Sequence, residues 1–290
     1  MTQAATSAAV FKSKAREALS DPALQQAMDR AKGGFVGARR IVVEDLAEFD
    51  SLRDTARDIK DHVLNHLDLY LERYERKTIE NGGHVHWAQT AEEACQIVKK
   101  ICLDTDARLV AKGKSMVSEE MGLNRVLEEA GIEVAETDLG EYIIQLAGES
   151  PSHIIAPAIH KTREQITELF YKNHNRHGFS ERVTRREAIV NEARSVLRSV
   201  FARADVGITG ANFLIAESGT NVIVTNEGNG DLSSTLPRVQ IITAGIEKVI
   251  PSLDDLSTFL RILGRSATGQ EMSAYTTLYT GPRREGEVEG

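Results

Sequence analysis

The sequence predicts an α/β protein, a mostly parallel sheet flanked by helices, with an N-terminal helical arm. Three observations carry that expectation. The stretch from Ala204 to Thr243 holds three short runs rich in β-branched residues, Val206–Thr209, Asn221–Thr225 and Val239–Thr243. Each is mostly apolar, which suits strands buried on both faces better than a half-wetted hairpin. Short apolar runs between residues 85 and 156 alternate with helical patterns, the signature of parallel strands joined by covering helices. The first eighty residues, by contrast, read as helix throughout.

In chain order, Asp21-Pro22 sets a capping side chain before a proline at the first helical position, opening a short helix to about Arg30. Lys32-Gly33-Gly34 is expected to break it. From Glu44 to about Glu80, Leu46, Phe49, Leu52, Ile59, Val63, Leu67, Leu71 and Tyr74 recur at helical spacing. One long helix or two shorter ones must therefore pack on something. Residues 1–80 form a helical arm that docks on the main domain, residues 81–290, or on another chain. Val85–Ala88 reads as a strand, and Thr90 with Glu93 as a capping box that opens a helix through Lys100. Strands follow at Leu109–Ala111, Ile132–Ala135 and His153–Ala156, with helices at Ser118–Ala130 and Gly140–Ala147; Gly131 closes the first of these helices. Two further capping boxes, Thr162–Gln165 and Thr184–Glu187, flank a polar run, Asn173–Gly178, expected to be a mobile surface excursion. The Thr184 helix runs to about Ala204. Beyond Thr243, Ile246–Ile250 is a strand, Leu253–Leu263 a helix, and Ser273–Thr280 alternates with period two as an edge strand. The tail from Gly281 lacks apolar periodicity and ends without a closing element, as in a chain that lacks a further region.

Composition removes several function classes. A net charge of -8 argues against a broad nucleic-acid surface. The two cysteines, Cys95 and Cys102, give no disulfide framework and suggest a reducing compartment; seven apart on one helix face, they read as buried and structural. No apolar run approaches the roughly 20 residues of a membrane span. The N-terminus lacks the features of a secretory signal. The expected location is cytoplasmic.

The central stretch carries too many polar groups for a plain core sheet. Gly207, Gly210, Gly219, Gly228 and Gly230 lie among Asn212, Glu217, Ser218, Thr220, Asn226, Glu227, Asn229, Asp231, Ser233 and Ser234, the floor and rim of a site. Lys112, Lys114, Ser115 and Ser118 fall between a strand and a helix N-terminus, where backbone N–H groups and the helix dipole favour an anion. The plainer alternative is a solvated loop with a serine cap at Ser118, and the spacing is not that of a Walker A loop. Glu217-Ser218-Gly219-Thr220 offers a carboxylate that can act as base or covalent nucleophile, or simply a turn whose carboxylate satisfies backbone donors. Asn226, Glu227, Gly228 and Asn229 line the rim. His84 and His86 share a face without a third ligand at motif spacing. His160-Lys161 can take a substrate carboxylate. Neither a nucleophile elbow nor a dinucleotide fingerprint is present.

Residues 112–166 (KGKSMVSEEMGLNRVLEEAGIEVAETDLGEYIIQLAGES and onward), 204–256 (ADVGITGANFLIAESGTNVIVTNEGNGDLSSTLPRVQIIT and onward) and 264–284 (GRSATGQEMSAYTTLYTGPRR) resemble the lactate utilisation protein B family and look like its LUD domain. The resemblance covers essentially the whole chain. It implies an iron–sulfur protein acting with two other lactate-utilisation proteins in the oxidation of L-lactate to pyruvate. It also implies the isomerase/CoA-transferase-like fold shared by CoA transferases, ribose-5-phosphate isomerase and formyltetrahydrofolate cyclo-ligase. In CoA transferases a glutamate beside a glycine is the nucleophile, and Glu217-Ser218-Gly219 falls in a similar place. Family members continue into a ferredoxin-like region whose C-x-x-C-x-x-C-x-x-x-C runs hold [4Fe–4S] clusters. This sequence has no such run, so the clusters are expected outside this segment, which binds none itself. The expected role is a subunit of an L-lactate-oxidising, electron-transferring complex that binds a small carboxylate or other anion. The alternatives are a non-catalytic assembly module and an enzyme acting on a CoA ester, sugar phosphate or folate.

Overall fold

Two four-stranded sheets, not one, organise the chain. The computed structural model describes residues 8–149, 151, 152, 156–284 and 286. The first sheet consists of β1 (Leu109–Gly113), β2 (Glu133–Glu136), β3 (Val206–Gly210) and β6 (Val239–Thr243), all parallel, in the order β2-β1-β3-β6. The second contains β4 (Phe213–Ile215), β5 (Thr220–Thr225), β7 (Val249–Ile250) and β8 (Tyr275–Tyr279) in the order β7-β4-β5-β8. Here β5 runs antiparallel to β4 and β8, while β7 is parallel to β4. The helices are α1 (Ala8–Ser20), α2 (Pro22–Ala31), α3 (Gly37–Glu44), α4 (Phe49–Asn65), α5 (Leu67–Glu80), α6 (Ala91–Asp104) and α7 (Met116–Glu120). They continue with α8 (Leu123–Glu129), α9 (Leu139–Ala147), α10 (Arg163–Asn173), α11 (Arg186–Arg203), α12 (Asn229–Thr235) and α13 (Leu253–Thr268). Among the described residues, no helix is long and apolar enough to cross a membrane.

Period-two alternation gives the parallel sheet two apolar faces. Val110, Val134, Val206 and Ile208 meet Cys95, Val98 and Cys102 of α6 and Leu123 and Leu127 of α8. Leu109, Ala111 and Ala135 meet α9, α10 and α11 through Tyr142, Ile143, Phe170, Ile189, Ala193, Val196 and Leu197. On this second face, Gly207 lets α12 close onto β3, because a Cβ there would fall inside the Ser233 carbonyl.

The second sheet is walled by helices from both ends of the sequence. Phe213, Ile215, Val222 and Ile250 pack with Ala56 of α4 and with Leu256 and Phe259 of α13. Leu214, Ala216 and Val249 pack with Val63 of α4 and Tyr74 of α5. The Tyr74 hydroxyl donates to Asn221 Oδ1 at 2.7 Å. Within the expected arm, the stretch from Glu44 to Glu80 thus forms two helices, broken at His66, that lie on this sheet.

Several expectations need correction. The run Asn221–Thr225 does not join its two neighbours in a parallel sheet; it is β5, folded back on β4 as a hairpin. Val85–Ala88 pairs with no strand: Val85 packs beside Val63 and Tyr74, and Trp87 donates to Glu75 at 3.0 Å, so helix packing satisfies the alternation. The helix expected over Ser118–Ala130 is two, α7 and α8, split at Gly122 (φ 68°). Thr162 forms its capping box, but α11 starts one residue later than Thr184 would require, with Arg185 at the cap and no side-chain bond. Lys32-Gly33-Gly34 does not end the helical winding, which widens into a π turn over Lys32–Val36. Ile246–Ile250 divides into a 3₁₀ turn and the two-residue β7. Of His153–Ala156, residues 153–155 lie outside the described residues.

The largest revision concerns Asn173–Gly178. His174 is fully buried, its ring against Phe170 with centroids 4.3 Å apart. Its Nε2 lies 2.9 Å from the Tyr142 hydroxyl and its Nδ1 2.8 Å from Glu192 Oε1. Burial holds the imidazole below the ordinary histidine range and pushes the Tyr142 phenol up to about 12. A buried polar triad thus joins α9, the turn after α10 and α11.

The packing of α12 gives a first test. Gly207→Ala is expected to lose about 2–3 kcal/mol in urea denaturation. Gly37→Ala, where an added Cβ meets nothing within 4 Å, should be neutral or mildly stabilising.

Candidate functional site at the carboxyl ends of the parallel strands

From β1 the chain crosses to β2 on one side and later returns through β3 on the other. The switch point of the sheet therefore lies between the carboxyl ends of β1 and β3, where open α/β sheets receive ligands. Lys114 leaves β1 with φ 58°, left-handed for a residue with a side chain. Such backbone costs about 1–3 kcal/mol and persists only where the surroundings enforce it. Gly210 of β3 supplies part of that enforcement: a Cβ there would sit 2.5 Å from the Lys114 carbonyl oxygen. The Lys114 ammonium bonds Asp138, at the end of β2, and Glu227 at 2.8 Å, just past β5. Burial works against its charge, but the two carboxylates outweigh burial and raise its pKa above the usual lysine range.

Beside the lysine lies a cluster of hydroxyls. Ser115 Oγ is 2.7 Å from Thr243 Oγ1 at the end of β6, and Ser118 Oγ is 2.9 Å from both. Both serines are buried. Ser115, not Ser118, is the helix cap: its oxygen accepts the Ser118 N–H at 3.1 Å. That donor of the short α7 is therefore already satisfied.

Lys112 has a different fate. Two residues earlier on β1, it points to the face covered by α7 and α8 and is 0% exposed. Its ammonium bonds Glu119 of α7 and, at 2.8 Å, Glu136, its registered neighbour on β2. Asn124 of α8 donates to Glu136 at 2.6 Å. Burial opposes the Lys112 charge, but Glu136 and Glu119 outweigh it and raise its pKa. This lysine is committed to internal carboxylates and presents no charge to a ligand. Nearby on α9, burial, reinforced by the charges of Glu136 and Asp138, pushes the Glu141 carboxyl up to about 8. Glu141 is accordingly neutral at pH 7, with a buried Oε2 that meets no partner among the described residues.

The remaining expected site residues lie apart from one another. Glu217, Ser218, Gly219 and Thr220 sit at the opposite end of β5 from Glu227; six residues of strand separate them, roughly 20 Å. The expectation that this turn faces the lysine loop is therefore corrected. Glu217 Oε1 accepts the Leu253 N–H at 2.7 Å and caps the start of α13. The Ser218 carbonyl accepts from Asn81 at 2.8 Å, Gly219 backs onto Thr78, and Thr220 Oγ1 lies 2.7 Å from Thr280 Oγ1. These contacts make the turn a structural joint to α5 and α13. Asn226 bonds Gln270 at 2.8 Å and the Ala274 N–H at 3.1 Å. Gly228 then leads into α12, where Asn229 is buried. His160 and Lys161 already pair with an exposed carboxylate of the same chain, Glu149, and His160 Nδ1 meets Ser152 Oγ at 2.6 Å.

Asp138, Glu136, Glu119, Asn124 and Glu141 escaped the sequence reading. One signal was present: Glu136 stands in phase with Val134, so a charged residue occupies an inward position, and Lys112 occupies the matching phase on β1. Asp138 was also visible as a cap before Leu139-Gly140, and its carboxylate accepts the Gly140 N–H at 2.9 Å.

An iron–sulfur cluster does not fit the thiols of this chain. Cys95 donates to the Met121 carbonyl at 3.4 Å, and burial pushes the Cys102 thiol up to about 11. Two protonated thiols in an apolar core cannot supply the four thiolates such a cluster takes. Among the described residues, no group of three or more His, Cys, Asp or Glu is arranged to hold a metal ion.

Fold and site together define an α/β domain with a cluster of charged and hydroxyl side chains at the switch point of a parallel sheet. Residues 71–290 match the LUD domain model, and the chain belongs to the LUD domain family. It is similar to lactate utilization protein B of Bacillus velezensis, 43% identical over 283 residues that make up 97% of this chain and 59% of that protein. The corresponding protein of Bacillus subtilis is 41% identical over 281 residues, 97% of this chain and 58% of its own length. An Escherichia coli protein described as an uncharacterized electron transport protein, YkgF, is 42% identical over 285 residues, 98% of this chain and 59% of that protein. The chain thus spans about three fifths of the length of these curated relatives. No solved structure matches it.

Two measurements probe the buried charges. Lys112→Met leaves Glu136 uncompensated and should lose about 3–5 kcal/mol in chemical denaturation, whereas Lys112→Met combined with Glu136→Leu should recover most of that loss. For Glu141, the unfolded carboxyl ionises near the ordinary 4.5 while the folded one holds its proton to about 8. The folded state thus binds more protons across that window, so this residue's contribution to stability falls as pH rises from 4.5 to 8. Glu141→Gln should flatten that decline in melting temperature measured against pH.

Proposed function

We propose that this chain serves lactate utilisation by binding a small 2-hydroxy or 2-keto carboxylate, L-lactate or pyruvate, beside Lys114 at the switch point of the parallel sheet. The observation that carries this reading is the Lys114 clamp. Its ammonium is held by one half-buried carboxylate, Asp138, and one exposed carboxylate, Glu227, whose side chain is 58% accessible. Glu227 occupies the place that a ligand carboxylate takes. When the ligand enters, Glu227 swings to solvent, the ligand carboxylate pairs with Lys114, and Ser115, Ser118 and Thr243 offer hydroxyls to its 2-oxygen. The names of the relatives support the metabolic assignment.

Oxidation of L-lactate to pyruvate releases two electrons, and the thiols of this chain do not fit a cluster that could take them. On this reading the chain positions the carboxylate, while [4Fe–4S] clusters outside this segment and two other lactate-utilisation proteins carry the electrons. A second reading, a non-catalytic assembly module, draws on one feature. The edge strand β6 is half-exposed along its whole length, beside exposed Leu232, Leu236 and Ile246.

Titration calorimetry with L-lactate and with pyruvate tests the clamp. Lys114→Ala should abolish binding, and Glu227→Gln should strengthen it several-fold by removing the resident competitor. Unchanged binding in Lys114→Ala, or weaker binding in Glu227→Gln, would overturn the reading.

A further inference from the structure

The N-terminal forty-four residues, to the end of α3, differ electrically from the rest of the chain. They carry seven Lys and Arg against four Asp and Glu, a net charge of +3; since the whole chain stands at -8, the remainder carries -11. They also differ in packing. Helix α1 lies against α2, α2 against the π turn, and α3 joins the body by packing on α13. There Gly269 abuts Ala38, and Arg265 donates to the Val42 carbonyl at 2.6 Å.

Along this basic arm large apolar side chains face water: Phe11 is 66% exposed, Leu19 72%, Val36 61% and Ile41 57%. Each has an exposed Lys or Arg within about one helical turn: Lys12 and Lys14 beside Phe11, Arg16 before Leu19, Arg39 and Arg40 beside Val36 and Ile41. On α1 the 3.6-residue period places Phe11, Ala15, Ala18 and Leu19 on one stripe, with Lys12 and Lys14 at its margins. Apolar groups flanked by long basic side chains suit the boundary between lipid headgroups and acyl chains. There the ring or branch enters hydrocarbon while the ammonium stays among the headgroups.

We infer that the arm α1–α3 is a docking element for an anionic lipid surface. Charge complementarity sets the sign of the partner, because the arm is attracted by the same surface that repels the acidic body. The spread of the apolar groups selects a bilayer over a protein groove. One or two large side chains on each of three short segments match a fluid interface, whereas a groove requires a contiguous seam. Each Lys or Arg near such a surface contributes about 1 kcal/mol.

The test is sedimentation of the full chain with vesicles of phosphatidylcholine alone and of phosphatidylcholine mixed with phosphatidylglycerol. The expected result is partition onto the anionic vesicles only, weakening as salt is raised. Two variants should each lower that partition at least about tenfold: the triple charge reversal Lys12→Glu, Lys14→Glu, Arg16→Glu, and the pair Phe11→Ser, Leu19→Ser. Because α1 stands outside both sheet cores, the thermal unfolding of the body should stay unchanged in both variants. Equal partition onto the two vesicle types, absence of partition, or undiminished binding by either variant would overturn the proposal. A dimer that the charge reversal dissolves, with no vesicle binding, would overturn it in favour of a second copy of the chain.

Discussion

The ion pair between Lys112 and Glu136 constrains everything at the carboxyl end of the parallel sheet. Both groups are buried, so each has lost its water; Glu136 and Glu119 offset that loss for Lys112, whereas at Glu136 burial outweighs the pull of Lys112 and the Asn124 bond and raises the carboxyl's pKa. The pair also fixes register. A slip of β1 against β2 by one residue would turn the Lys112 ammonium onto the face of Tyr142 and Phe170. Glu119 and Asn124 reach the pair from different helices, which explains why the covering segment breaks at the left-handed Gly122. With β1 held in this way, the next residues can only emerge over β3, and Lys114 reaches Asp138 and Glu227 on a strained backbone.

Two lysines two residues apart therefore serve opposite purposes. Lys112 is inside the sheet's covered face and is neutralised by groups that cannot leave. Lys114 is beyond the last ladder bond, and one of its partners sits on an exposed turn. The contrast follows from the pleat, which ends where the strand ends. It also corrects the simple picture of a positively charged hollow: the cluster holds more carboxylates than lysines, and burial, reinforced by those charges, keeps the proton on Glu141.

Much of this architecture was legible in the residues. The runs at β3 and β6 were placed within one residue, Gly131 lies at the expected left-handed cap, and β8 stands at a sheet edge. What escaped depended on partners far along the chain. A β-branched run such as Thr220–Thr225 does not reveal which sheet it joins or in which direction. The glycine turn before it, open to reading as a catalytic corner or as a plain hydrogen-bonded turn, was the local sign of a hairpin. His174 sits in a run of asparagine, arginine and glycine that looks solvated. Only the arrival of Glu192 and Tyr142, from eighteen and thirty-two residues away, makes it part of the core. Glu192 itself lies in the apolar stripe of α11 between Ile189 and Val196, and that intrusion was the available hint.

The walls of the second sheet extend beyond the stretch that the family match covers. The family match begins at residue 71, inside α5, yet Ala56 and Val63 of α4 lie in the two apolar layers that enclose β4 and β7. A polypeptide started at residue 71 would keep Lys114 and its partners in its sequence while removing Ala56 and Val63 from the cover of Ile215, Val249 and Ile250. The cover of the second sheet thus reaches back to the entrance of α4, where Arg261 clasps Glu48, some two dozen positions ahead of the first residue that kinship marks.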